Sequence, residues 1–236
     1  MADVKEVAIG LSVLAENAQE RGRRIHVEKG VMALNDQYAA ANRQRLEQAG
    51  VRAINVLSSP GSGKTTLLAR TLQELKGQRR MAVIVGDLAT DNDAQRLQVG
   101  GATAVQIQTG TFCHLEAAMV SRALDALELA ELDLLFIENV GNLVCPAAYD
   151  LGENSRVVLF STTEGEDKPL KYPRMFKSAD LVLITKSDLT EVLGFDRALA
   201  LENLRQVAPQ APVLEVSARS GEGLEGWYRY LQQPTG

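Results

Sequence analysis

The sequence has no excess of positive charge and no long hydrophobic run. It contains 25 Lys and Arg against 30 Asp and Glu, which gives a formal net charge of -5. Without a basic stripe, the chain is not suited to a general affinity for nucleic acid or for an anionic membrane. No apolar stretch is long enough to span a bilayer, and the first residues lack the features of a secretory signal. We therefore expect a cytoplasmic protein with neither nucleic acid nor a membrane as its partner.

Cysteine, histidine and aromatic residues are also scarce. The chain has two cysteines and two histidines, and 5% of its residues are aromatic. A domain of this size needs no disulfide bond to fold, and the cytoplasm keeps thiols reduced. Cys113 and Cys145 are therefore expected to be free thiols that can bind a metal. A hydrophobic content of 45% with a charged fraction of 23% indicates a soluble globular fold rather than disorder.

Short apolar runs follow residue 50, and segments of helical period separate them. Runs this continuous are typical of strands that are covered on both faces, and the segments between them supply crossover helices. The pattern predicts an α/β fold with a doubly wound, mainly parallel sheet. The predicted strands are Ala53–Leu57, Met81–Val85, Ala104–Ile107, Leu134–Ile137, Val157–Phe160, Leu181–Ile184 and Val213–Val216.

The chain before the first predicted strand has a different pattern. Its apolar residues recur at mixed helical spacing, which predicts two helices with a break near Gly30 and an end at Gly50. We therefore divide the chain into an N-terminal helical extension, residues 1–50, and one domain, residues 51–236, that carries the sheet. Ligands of such sheets bind beyond the carboxyl ends of the strands, so functional residues are expected just after each run.

A phosphate-binding loop follows the first predicted strand and precedes a helix. Its residues are Gly61, Ser62, Gly63, Lys64, Thr65 and Thr66. The glycines let backbone N–H groups close around phosphate oxygens, Lys64 reaches the β- and γ-phosphates, and the Thr65 hydroxyl can ligate Mg²⁺. Ser58 stands where the usual motif has its first glycine, so that turn must form without a residue that freely adopts positive φ. A fortuitous Gly-Ser turn is the alternative, but strand, loop and helix occur in register and predict a P-loop NTPase fold.

The residues after the sixth and seventh predicted strands indicate which nucleotide binds. Asp188 can accept hydrogen bonds from N1–H and the 2-amino group of guanine, whereas adenine offers neither in that arrangement. Lys186 can lay its aliphatic stem along the base, and the backbone of Ser217 and Ala218 is placed to donate to the guanine oxygen. A surface Lys-x-Asp is usually only a solvated loop. In order after a P-loop, and followed by Ser-Ala, it predicts GTP binding.

Two acidic residues follow the second and fourth predicted strands. Asp87 and Glu138 can hold Mg²⁺ directly or through water, and the Gly141 N–H can sense the γ-phosphate. A single acidic residue after a strand is more often a helix cap, so both gain weight only from the P-loop before them. With Lys64 they are the candidate catalytic residues. No glutamine and no arginine is identified as the group that orients water or stabilises the transition state, so we expect slow intrinsic GTP hydrolysis.

Both cysteines lie near the predicted switch, and one has a histidine as its neighbour. Cys113 and His114 precede a predicted helix, Glu116–Leu129, and Cys145 follows the Glu138–Gly141 segment. A helix N-terminus lowers the pKa of a thiol, so we expect Cys113 to ionise readily. Two thiolates and one imidazole suit Zn²⁺ or Ni²⁺. The alternative is that these cysteines are small core residues and that the histidine is satisfied by ordinary hydrogen bonds, as we expect for His26.

Taken together, the motifs resemble those of the HypB family, the nickel-incorporation GTPases of hydrogenase maturation in the SIMIBI class of P-loop GTPases. The resemblance extends from about Leu34 to Leu231. Its most specific parts are Ser58–Thr66, Gly86–Asp87, Thr90–Ala94, Thr109–Gly110, Cys113–His114, Glu138–Pro146 and Thr163–Pro173. The resemblance implies a GTP-dependent homodimer with a Zn²⁺ or Ni²⁺ site at its interface, made by the matching Cys113, His114 and Cys145.

The same resemblance implies partners and a role. Members of the family pass nickel to the large subunit of [NiFe]-hydrogenase, together with a HypA-type nickel/zinc metallochaperone. The Thr163–Pro173 loop is expected to contribute across the dimer, with Lys168 as a phosphate contact in the other subunit. High-capacity nickel storage is not expected, because the sequence before the P-loop has no cysteine and only His26.

Two other functions are compatible with parts of the sequence. A P-loop also occurs in small-molecule kinases, but Asp188 reads guanine and no lid for a phosphate acceptor is recognisable. A GTP-regulated chaperone of another metalloenzyme or of a cobalamin enzyme would also carry these motifs, with Cys113 and Cys145 merely packed. Metal binding by the two cysteines separates that alternative from a nickel GTPase.

Overall fold

The structure is a computed structural model that describes residues 30–87 and 102–233. Its centre is a parallel sheet of seven strands in the order β3-β2-β4-β1-β5-β6-β7. The strands are β1 Arg52–Ser58, β2 Met81–Asp87, β3 Thr103–Gln108, β4 Leu134–Glu138, β5 Ser155–Ser161, β6 Leu181–Thr185 and β7 Val213–Val216. Every predicted strand is confirmed, and so is the doubly wound α/β fold.

Helices cover both faces of the sheet. The first described helix, α1, spans 30–49. The others are α2 Lys64–Glu74, α3 Ala117–Leu124, α4 Lys168–Lys171, α5 Pro173–Lys177, α6 Thr190–Leu193, α7 Arg197–Val207 and α8 Leu224–Gln232. In the described part of the chain, no helix has the length and apolar character needed to cross a membrane.

Alternate residues of the central strands enter different hydrophobic cores. Ile54 and Val56 of β1 pack with α2 and α8, around the fully buried Trp227. Ala53 and Leu57 point to the opposite face, where they join separate clusters. All seven residues of β1 are buried. This double coverage explains why the strands are continuous apolar runs rather than alternating ones.

The helical predictions are only partly confirmed. α1 runs from 30 to 49 and ends in a turn at Gly50, as predicted, and Leu46 is 1% exposed beneath it. The first predicted helix lies outside the described residues, and the domain boundary at residue 50 stays a prediction. The helix predicted over Glu116–Leu129 is too long: α3 covers Ala117–Leu124, and a separate 3-10 turn forms at Leu129–Glu131.

Candidate functional site

The phosphate-binding loop connects β1 to α2 at the carboxyl edge of the sheet. Gly61 and Gly63 have φ angles of 74° and 95°, which a residue with a side chain rarely adopts. Ser58 stays in the strand, and its Oγ accepts a hydrogen bond from Lys64 Nζ at 3.0 Å. The missing first glycine is therefore tolerated because the chain does not turn at Ser58 but only beyond it, at Gly61. The hydrogen bond to Ser58 holds the Lys64 side chain back over the loop.

The hydroxyl of Thr65 meets the carboxylate of Glu138, the last residue of β4. Thr65 Oγ1 donates to Glu138 Oε1 at 2.7 Å. Adjacent ligands of an octahedral Mg²⁺ with bonds of about 2.05 Å lie about 2.9 Å apart, so this pair fits as neighbouring Mg²⁺ ligands. Asp87 is the last residue of β2, the strand beside β4, and Val85 pairs with Glu138. The backbone thus brings Asp87 to the same sheet edge.

The segment after β4 packs directly on the phosphate-binding loop. A Cβ atom on Gly141 would lie 2.9 Å from Pro60 Cα and 3.0 Å from Pro60 N. Only glycine fits without moving one of the two backbones. The residue predicted to sense the γ-phosphate is therefore in contact with the loop predicted to hold it.

A cavity of about 340 Å³ lies beside the loop, where guanine was predicted to bind. Its lining includes Ser62, Gly63, Thr66, Lys186, Asp188, Ser217 and Ala218. Lys186 has a φ of 58° and is the non-glycine residue with positive φ in the described chain. Its Nζ donates to the Gly61 carbonyl oxygen at 2.8 Å, so its stem crosses the mouth of the P-loop. Leu189 and Arg219 also line the cavity, and the sequence did not single them out.

Glu164 lies in the Thr163–Pro173 segment that resembles the HypB family, and its carboxylate contacts the P-loop. Glu164 Oε1 accepts a hydrogen bond from Ser62 Oγ at 2.5 Å. Lys168 Nζ lies 3.2 Å from the other Glu164 oxygen, and it lies 5.4 Å from the ring centre of Tyr172. In this chain Lys168 is thus paired with a residue of its own subunit, and its predicted phosphate contact in a second subunit stays a prediction.

The two cysteines and His114 form one cluster. One ligand atom from each lies within 4.8 Å of the others. Cys113 Sγ lies 2.8 Å from Cys145 Sγ and 3.7 Å from His114 Nδ1. A tetrahedral metal with bonds to sulfur of about 2.3 Å holds two sulfurs about 3.8 Å apart, so a bound metal requires the thiols to separate by about 1 Å. Cys113 is exposed, which leaves the cluster open to solvent or to another chain.

The pKa values of this cluster correct one expectation. Hydrogen bonding to Cys145, then burial, raises the pKa of the Cys113 thiol. The expected lowering by a helix N-terminus was wrong, because α3 begins at Ala117, four residues further on. Burial lowers the pKa of His114, although Glu116 opposes this shift. The ring is therefore neutral at pH 7, which is the state that binds metal.

The ring of His114 is positioned by neighbours that the sequence did not identify. It packs on Tyr149 with ring centres 4.0 Å apart. Its Nε2 atom is buried without a hydrogen bond among the described residues, and the carboxylate of Glu116 lies 3.8 Å from it. Because Nδ1 faces the sulfur of Cys113, the ring presents that nitrogen to the cluster.

The chain matches a known family over most of its length. The profile of the CobW/HypB/UreG nucleotide-binding domain matches residues 52–215. The hydrogenase maturation factor HypB of Rhizobium leguminosarum bv. viciae is 53% identical over 210 residues, which cover 89% of this chain and 70% of that protein. The HypB of Azotobacter chroococcum mcd 1 is 51% identical over 216 residues, 92% of this chain and 71% of that protein.

Solved structures agree with this match. HypB from Helicobacter pylori in complex with nickel superposes with a TM-score of 0.80 at 44% identity, over 84% of this chain and 93% of that one. HypB from Archaeoglobus fulgidus gives 0.80 at 38% identity, over 85% and 98%. The signal recognition particle protein of Aeropyrum pernix K1, at 15% identity and a TM-score of 0.55, shares the fold alone. The chain therefore belongs to the CobW/HypB/UreG family and, within it, to the HypB proteins.

Proposed function

We propose that this protein is a GTP hydrolase that binds nickel or zinc and uses GTP binding and hydrolysis to drive nickel delivery during [NiFe]-hydrogenase maturation. The observation that carries the proposal is the cluster of Cys113, His114 and Cys145, whose ligand atoms lie within 4.8 Å of one another. Cys145 lies in the segment that leaves β4 directly after Glu138, and the Glu138 carboxylate meets Thr65 of the P-loop. A metal site and a nucleotide site thus share one connecting segment.

The nucleotide roles follow from the chemistry of each side chain. Lys64 neutralises phosphate charge, and Asp188 accepts the two guanine donors while Lys186 covers the base. The Ser217 N–H is donated to the Glu222 carbonyl oxygen at 2.9 Å, so Ala218, which also lines the cavity, would supply the backbone donor to the guanine oxygen. Thr65 and Glu138, with Asp87 at the same edge, would hold Mg²⁺, which when bound neutralises charge on the β- and γ-phosphates.

Hydrolysis is proposed to be slow in the isolated chain. Among the described residues near the P-loop, Lys186 donates to Gly61 and Lys168 pairs with Glu164, so neither is aimed at a γ-phosphate. A second subunit or a partner would have to supply a further positive charge for fast turnover. Slow hydrolysis suits a GTPase that times metal transfer better than it suits a metabolic enzyme.

The assembly is proposed to be a GTP-dependent homodimer in the cytoplasm. The exposed position of Cys113 leaves the metal site accessible to a second chain, with an open coordination position for one of its groups. We propose that a HypA-type metallochaperone and the hydrogenase large subunit are the donor and acceptor partners. Nickel is the cargo that passes between them.

Metal binding by matched variants tests the proposal. Equilibrium dialysis with Ni²⁺ and with Zn²⁺ should give one tight site in the wild type, and Cys113→Ala, Cys145→Ala and His114→Ala should each lose it. His26→Ala removes the other histidine of the chain and serves as the control. All variants should still bind GDP. Unchanged metal stoichiometry in both cysteine variants would leave only a GTPase without this cargo.

A further inference from the structure

Side chains from the segment after β4 hold the backbone of the metal cluster. Asn142 Nδ2 donates to the Cys113 carbonyl oxygen at 3.2 Å. Asn139 Oδ1 accepts from the Leu115 N–H, also at 3.2 Å. The stretch that carries Cys113 and His114 is therefore attached on one side to the segment that contacts the P-loop.

A second attachment comes from α1 and fixes both backbone polar groups of Ala117, its N–H and its carbonyl oxygen. Asn35 Oδ1 accepts from the Ala117 N–H at 2.9 Å, and Asn42 Nδ2 donates to the Ala117 carbonyl oxygen at 2.8 Å. Ala117 is the first residue of α3, and the N-cap residue Glu116 makes no side-chain capping bond. Asn35 thus supplies, from another helix, an acceptor for one of the N–H groups that the start of a helix leaves without an intrahelical partner.

Both asparagines are buried, and for Asn42 the burial carries a cost in free energy. Asn42 is 0% exposed and Asn35 is 5% exposed. Within the residues that the structure describes, Asn42 Oδ1 has no hydrogen-bond partner. A buried amide oxygen without a partner is unfavourable, and an apolar side chain of similar shape would avoid that cost. What these side chains provide is a defined position for Ala117.

α1 packs closely against the loop at residues 150–152, which leaves the helix little room for movement. Asn42 Nδ2 also donates to the Leu151 carbonyl oxygen at 3.0 Å, and Asn35 Nδ2 donates to that of Asp150 at 2.8 Å. A Cβ on Gly152 would lie 2.6 Å from the Ala39 carbonyl oxygen. The helix therefore contacts this loop at van der Waals distance and provides a fixed support for Ala117.

We propose that Asn35 and Asn42 are positioning residues of the metal cluster formed by Cys113, His114 and Cys145. Ala117 lies three residues after His114, so its position limits where the ring and the neighbouring thiol can lie. The inference rests on the proposed function, because it requires that the cluster binds a metal. Removal of groups that support metal ligands typically lowers metal affinity by about 10- to 100-fold.

Titration of the full chain with Co²⁺ tests this inference, because its absorption spectrum reports ligand geometry. Asn35→Ala and Asn42→Ala should each weaken Co²⁺ binding about tenfold or more and alter the ligand-field bands. The affinity for GDP should stay at the wild-type value. The spectrum is a readout that a general loss of stability would not change.

Arg43→Ala is the matched control on the same helix. Its NH2 group lies 2.7 Å from an Asp150 oxygen, so the variant loosens α1 without touching Ala117. Its Co²⁺ affinity and spectrum should match the wild type. An equal effect in Arg43→Ala and Asn42→Ala would overturn the inference, because general loosening of α1 would then be enough.

The outcomes separate this inference from the proposed function. Failure of the wild type to bind Co²⁺, with no Ni²⁺ or Zn²⁺ site in dialysis either, would overturn both. Tight binding by the wild type, with the same affinity and spectrum in both asparagine variants, would overturn the inference alone. If the fluorescence of Trp227 shows that Asn42→Ala does not fold, Asn35→Ala decides the question by itself.

Discussion

Replacement of Gly141 by alanine tests whether the segment after β4 and the phosphate-binding loop act as one unit. The added Cβ would lie 2.9 Å from Pro60 Cα. Carbon atoms that are not bonded pack at about 3.5–4.0 Å, so one backbone has to move by about 0.5–1 Å. Overpacking of this kind costs about 1–3 kcal/mol of unfolding free energy. A misplacement of about 1 Å at a catalytic site can lower the rate about 100-fold.

Two measurements on the same variant check these values. Urea unfolding followed by fluorescence reports stability from a single probe, because Trp227 is the one tryptophan of the sequence and is 0% exposed. Phosphate release in a single turnover reports the chemical step. We expect Gly141→Ala to lose stability within the range above and to hydrolyse GTP about 100-fold more slowly, with GDP affinity less affected.

Gly226→Ala is the matched control. A Cβ at this position would lie 3.5 Å and 3.6 Å from the two Leu214 methyl carbons, which is ordinary contact. Gly226 lies within α8, where alanine is favoured over glycine by about 0.5–1 kcal/mol. We expect this variant to be slightly more stable and to hydrolyse GTP at the wild-type rate. Wild-type stability and hydrolysis within about twofold in Gly141→Ala would refute the reasoning.

Three further predictions concern the base, the core and the thiols. Asp188→Asn should weaken GTP binding at least about 100-fold, because hydrogen bonds to a charged group contribute about 1.5–3 kcal/mol each. A xanthosine nucleotide should bind this variant better than GTP does. An unchanged affinity for GTP would contradict the assignment of Asp188 to guanine. Thr71→Val should cost about 1–3 kcal/mol in urea unfolding, because Trp227 Nε1 donates to Thr71 Oγ1 at 2.9 Å in the core and would lose its acceptor. The pKa of the Cys113 thiol is raised, so this thiol must lose a proton when metal binds. The affinity for Zn²⁺ should therefore increase with pH up to that pKa. Calorimetry in buffers of different ionisation enthalpy measures the released proton, and no proton release would contradict the prediction.

The strands and the order of the nucleotide motifs could be predicted from the sequence. A parallel sheet covered on both faces requires continuous apolar runs, and all seven were recognisable. Because parallel strands end at one edge, the residues after them had to share one side of the sheet. This is why the sequence alone assigns the P-loop, Glu138 and Asp188 to one site. The ligand set was recognisable from the two cysteines and His114 themselves, and the resemblance to HypB proteins added the dimer interface and the partners.

Tertiary structure alone decided the pKa of Cys113 and the hydrogen bonds that support the metal cluster. Cys113 was expected to ionise readily, yet its pKa is raised, because the thiol faces Cys145 and not the end of α3. The attachments of Ala117 to Asn35 and Asn42 join residues 82 and 75 positions apart, and the contact of Ser62 with Glu164 spans 102. Periodicity and motif spacing record which residues are buried and in what order they occur. Hydrogen-bond partners at a distance of 3 Å depend on how helices and loops far apart in sequence pack together, which no local pattern encodes.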